Sequence, residues 1–124
     1  MLQEYTPTRQ VKGEPTRRWF HSPHCDLIVW IDAGEAPVGF QFCYDKGGDE
    51  HALSWKHDAG FSHMAVDSGE ARSGGFKSAP ILRANGVFDS RRILEIFRAE
   101  SLALPAEYVA FIARKIRQSQ AEAR

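Results

Sequence analysis

Apolar and polar side chains alternate along residues 25–56 in three successive runs. Cys25, Leu27, Val29 and Ile31 share one parity, then Val38, Phe40, Phe42 and Tyr44, then His51, Leu53 and Trp55. Successive side chains of a strand point to opposite sides, so each run offers one stripe to a core. Residues 34–37 and the pair Gly47-Gly48 separate the runs, and glycine supplies the positive φ of tight hairpin turns. With Gly47-Gly48 at a turn centre, Tyr44 pairs with His51, Phe42 with Leu53 and Phe40 with Trp55. In the preceding hairpin the same logic pairs Ile31 with Val38, Val29 with Phe40, Leu27 with Phe42 and Cys25 with Tyr44. A slip of one residue would turn the whole stripe to water, so the register is strongly specified.

The remaining elements are read more coarsely. A loose hairpin is expected over residues 1–22, with Gly13-Glu14-Pro15 turning between residues 8–12 and 16–20. His21-Ser22-Pro23-His24 breaks the strand before the central meander of residues 24–66. A fourth meander strand is expected over residues 60–66, its facing open between Phe61, His63, Ala65 and Ser62, Met64, Val66. Residues 67–79 read as a glycine- and serine-rich loop, followed by a short strand at 79–84. A helix pair occupies residues 89–120. Asp89 or Ser90 caps the first helix, which carries Ile93, Leu94, Ile96 and Phe97 at helical spacing. Leu104-Pro105 opens the second, striped by Tyr108, Val109, Ile112 and Ile116. Strands followed by helices, without alternation, predict one α+β domain over residues 1–124. Its antiparallel sheet of four to six strands packs against two C-terminal helices.

The opposite sheet face carries Ile28, Trp30, Cys43 and Ala52 beside Asp26, Gln41 and Ser54. A wet face of an antiparallel sheet is usually more polar. Cover by the N-terminal hairpin or by another subunit is therefore expected, with a homodimer as the leading partner arrangement. Trp30 should lie across from Gly39. Cys25 and Cys43 point to opposite sides and cannot bridge, which predicts two free thiols and suits a reducing compartment.

Composition sets outer limits. The 124 residues include sixteen basic and sixteen acidic side chains and 43% hydrophobic residues. No apolar run reaches the length of a membrane span, and residues 1–10 lack the apolar core of a signal peptide, so a cytoplasmic location is expected. The charges segregate: residues 26–70 hold nine acidic side chains against two lysines, and residues 71–124 hold ten basic against five acidic. Attraction between an acidic sheet and basic helices is the simplest consequence. A pI of about 7.0 and the acidic sheet argue against nucleic acid.

Candidate chemistry is sparse. The stretch 57–70 gathers His57, His63, Asp67 and Glu70 beside the glycine-rich loop, where an imidazole near a carboxylate could act as base or ligand. No metal motif, phosphate loop, nucleophile elbow or cofactor fingerprint occurs, so no cofactor is assigned. Arg17, Arg18, Trp19 and Trp30 are the candidate binding residues, since aromatic residues and arginine are enriched in interface cores. The pattern thus favours a non-enzymatic binding protein that self-associates, its further protein or small-molecule partner unknown. The alternative is a small enzyme or metal-dependent protein built on residues 57–70.

Overall fold

A computed structural model describes residues 1–5, 10, 12–66, 81–82 and 88–122. Among them, seven strands form one antiparallel sheet in sequential order, followed by two helices. The strands are β1 (Gln3–Tyr5), β2 (Thr16–His21), β3 (Asp26–Ile31), β4 (Pro37–Tyr44), β5 (His51–Lys56), β6 (Gly60–Ala65) and the two-residue β7 (Ile81–Leu82). The helices are α1 (Ser90–Glu100) and α2 (Ala106–Glu122). This is the expected α+β arrangement, with β1 and the short β7 on the two edges.

The meander has the register its alternation demands. Leu27 pairs with Phe42 and Val29 with Phe40. Across the next hairpin Phe40 pairs with Trp55, Phe42 with Leu53 and Tyr44 with His51. One pairing differs: Ile31 meets Pro37, not Val38. The cause lies in the turn. Asp32 Oδ1 accepts hydrogen bonds from the Gly34 and Ala36 amides, and the Asp32 amide donates to Ala36 O at 2.9 Å. That closure draws residue 37 into register and leaves Val38 as the extra residue of a bulge. Pro37, which has no amide hydrogen, is tolerated at such a position.

The N-terminal segment pairs antiparallel within residues 1–22, but through a strand that was not anticipated. Its first strand is Gln3–Tyr5, with Tyr5 opposite Trp19 and Gln3 opposite His21. Of the expected strand at 8–12, residues 8, 9 and 11 lie outside the described residues, as do the loop at 67–79 and all but Ile81–Leu82 of the expected last strand. Both β1 and β2 extend the sheet sideways and do not lie over its second face. Leu2, fully buried, anchors this edge, and its amide donates to Glu100 O at the end of α1.

The helices cover one face. Asp89 caps α1 by accepting from the Arg92 amide at 3.1 Å, and Pro105 precedes α2 and accepts from the Tyr108 and Val109 amides. Ile93 and Phe97 of α1 join Tyr108, Ile112 and Ile116 of α2 against Phe20, Leu27, Val29, Phe40, Phe42 and Leu53. Phe97 meets Phe42 edge-on, with ring centroids 5.5 Å apart. The facing of β6 is resolved: Leu53 pairs with His63 and Trp55 with Phe61, so Phe61, His63 and Ala65 share the helix face.

Candidate functional site

Strand alternation divides the four candidate binding residues. Arg17 pairs with Trp30 and Trp19 with Ile28, so Arg17, Trp19 and Trp30 share the face that the helices leave open. Arg18 turns the other way. Its guanidinium holds the Glu4 carboxylate through two hydrogen bonds of 2.8 and 2.6 Å and donates to Tyr108 Oη at 3.0 Å. It also lies over the Phe20 and Tyr108 rings. Arg18 therefore fastens β1 and β2 to α2. The Glu4 carboxyl is held below its ordinary range by the hydrogen bond from Arg18, against the opposing effect of burial.

The open face has a floor and a rim. Cys43, Ala52 and Ser54 are buried between larger neighbours. Trp19 is 37% exposed and Tyr5 54%, with their rings edge-to-face at 5.2 Å. Charges sit at both ends. At one end Arg17, Trp30, Gly39 and Lys56 form a row across β2 to β5. Lys56 Nζ lies 4.3 Å from the centre of the Trp30 ring. Gly39 is required there, because an added Cβ would come within 3.0 Å of Trp55 O. At the other end stand Asp26, bonded by Lys46 Nζ at 3.2 Å, and Glu50. Burial and then the Asp26 charge push the Glu50 carboxyl above its ordinary value. Among the described residues Glu50 makes no ion pair.

Both cysteines are buried and free, on opposite faces as expected. Burial, helped by Glu100, lifts the Cys25 thiol to about 12. Burial, helped by Glu50, lifts Cys43 to about 12. Neither is a thiolate nucleophile at neutral pH.

The histidine cluster is rearranged relative to expectation. His57 is exposed in the turn after β5, its amide bonded to Val38 O. His63 is buried in β6, where Tyr44 Oη and His63 Nε2 share a 2.7 Å hydrogen bond. His51 stacks on His63 at 5.1 Å, and Phe88 stacks on it at 4.4 Å. The structure thus joins His63 to Tyr44, His51 and Phe88, and leaves His57 in a solvent-facing turn. Asp67 and Glu70 lie outside the described residues. Among the described residues no group of three or more His, Cys, Asp or Glu side chains is placed to hold a metal.

An open cavity of about 590 Å³ lies between the 45–49 turn and α1. Four charged groups on its wall already have partners. Arg92 makes a two-pronged pair with Asp45 at 3.0 and 2.8 Å, Lys46 bonds Asp26 and Ser22 O, and Glu100 lies 3.3 Å from the N-terminal amine. Sequence reasoning did not single out Tyr5, Glu50, Lys56 or the Tyr44–His63 bond. Glu50 and Lys56 share the parity of Ala52 and Ser54, a signal that was present in the sequence.

No family model, curated protein or solved structure matches the chain. No described helix is long and apolar enough to cross a membrane.

Proposed function

We propose that this chain is a non-enzymatic binding protein that self-associates through the open face of its sheet, with Arg17, Trp19 and Trp30 as contact residues. One observation carries this reading: on the face opposite both helices the rings of Tyr5 and Trp19 are exposed, and the buried Trp30 ring lies beneath the Lys56 cation with Arg17 beside it. Aromatic residues and arginine are the side chains from which interface hot spots are usually made. The enzymatic alternative draws less support. His57 and His63 do not converge, and His63 is enclosed by Tyr44, His51 and Phe88. A cytoplasmic setting accords with two buried free thiols.

Sedimentation velocity across the micromolar range tests the reading. The wild type should sediment as a dimer, Trp19→Ala and Trp30→Ala should shift it toward monomer, and His57→Ala should change nothing. A monomeric wild type, or tryptophan variants that dimerise like the wild type, would refute it.

A further inference from the structure

The open face is charged with opposite signs at its two ends. Arg17 and Lys56 flank Trp30 at one end, whereas Asp26 stands four residues along β3 from Trp30, about 13 Å at the rise of a strand. Glu50 lies two residues beyond Ala52 at the same end, and its O accepts from the Val66 amide, which continues the β5–β6 ladder. By strand parity Glu50 falls on the same face as Ala52 and Ser54. Midway runs the row Trp19, Ile28, Gln41, Ser54 and Ser62.

Symmetry restricts how such a face can meet itself. A dimer formed by one patch on both copies needs a two-fold axis. For two stacked sheets that axis lies between them, in their plane. An axis along the strands would set each end on the same end of the other copy, so that the Arg17–Lys56 row faces itself and the Asp26–Glu50 end faces itself. Like charges in such juxtaposition oppose association. An axis across the strands exchanges the ends instead. We propose that the open face binds a second copy of this chain with the strands antiparallel across the interface, about an axis along the Ile28–Gln41–Ser54 row. The Arg17–Trp30–Lys56 end of each copy then lies on the Asp26–Glu50 end of the other. This inference rests on the reading that the open face is the binding surface.

The arrangement answers two features that the isolated chain leaves unbalanced. Glu50, half-buried near Asp26 and Lys46 and making no ion pair among the described residues, gains a direct pair with the partner's lysine. Lys56, whose cation lies over the Trp30 ring, gains a carboxylate. Ile28 and Trp19 meet their own counterparts at the axis.

Charge reversal reads the alignment directly. Lys56→Glu and Glu50→Lys should each weaken the dimer at least tenfold in sedimentation velocity. An equimolar mixture of the two should recover a heterodimer, because each contact then pairs opposite charges again. Lys56 is exposed, so Lys56→Glu keeps the test decisive whatever Glu50→Lys does to folding. If both single variants dimerise like the wild type while Trp19→Asp does not, the alignment is wrong and the face remains the binding surface. If the wild type is monomeric, or Trp19→Asp leaves the dimer intact, the alignment and the binding-face reading fall together.

Discussion

The two faces of the central strands share a backbone and differ in chemistry. On one, Leu27, Val29, Phe40, Phe42 and Leu53 have no exposed surface and pack beneath α1 and α2. On the other, the intervening residues Ile28, Trp30, Gln41, Cys43, Ala52 and Ser54 form a patch that ends in charges. The first face is satisfied within the chain: even the polar Arg18, which reaches it, is held by Glu4 and Tyr108. The second holds a half-buried carboxylate at one end and the exposed rings of Tyr5 and Trp19 toward the β1 edge, while its Trp30, Cys43, Ala52 and Ser54 are buried. A strand with stripes of both kinds folds against one surface, and on the proposed reading it meets a partner with the other.

The sharpest test of that contrast is a pair of truncations. Phe42→Ala should cost about 3–5 kcal/mol in urea unfolding, the usual loss for a buried phenyl ring. Trp19→Ala, at an exposed position, should cost under about 1 kcal/mol in a monomeric sample. Equal losses would mean that the open face is core as well, and the comparison would break. The next largest effect belongs to the polar end of the helix face. Tyr44→Phe removes the partner of His63 Nε2 in a buried site and should cost about 1–3 kcal/mol. Smaller again, Asp89→Ala removes the α1 cap and should cost about 1 kcal/mol. Both are measured by urea midpoint, and neither should alter self-association.

The meander was legible because alternation over 25–56 admits one register, and its consequences for Trp30, Gly39 and both cysteines follow from geometry alone. The bulge at Val38 was not legible: it depends on the Asp32 side chain folding back onto the turn, a local hydrogen-bond choice invisible to hydrophobic pattern. The strand Gln3–Tyr5 was not anticipated, because the loose hairpin was placed immediately around Gly13-Glu14-Pro15. Only tertiary burial of Leu2 against the end of α1 reveals the pairing of Gln3–Tyr5. The site was half legible. Arg17, Trp19 and Trp30 follow from parity once β2 is aligned, but Arg18 was grouped with them by adjacency, although neighbours along a strand face opposite ways. The histidines were grouped by spacing, and spacing along a hairpin cannot show that His57 occupies a turn while His63 is enclosed in the sheet.

The smallest effects come from pH, and they carry opposite signs on either side of the contrast. The hydrogen bond from Arg92 holds the Asp45 carboxyl below its ordinary range, so the folded state binds this proton less readily than the unfolded chain. Its contribution is present above the unfolded value, near 3.9, and is lost as pH falls through the folded one. The pair is largely solvent-exposed, so Arg92→Ala should cost under about 1 kcal/mol near neutrality. That difference should vanish at the acid end of a urea-midpoint series. Glu50 behaves in reverse. Its carboxyl sits above the ordinary range through burial and Asp26, so the penalty on the folded monomer is absent below the unfolded value and grows as pH rises through the folded one. In the monomeric background of Trp19→Asp, Glu50→Gln should therefore raise the urea midpoint near neutrality and leave it unchanged in acid. In the dimer, where Lys56 of the second copy would supply the missing cation, the same substitution should weaken association. A variant that stabilises the fold while loosening the assembly would place Glu50 on the surface made for a partner.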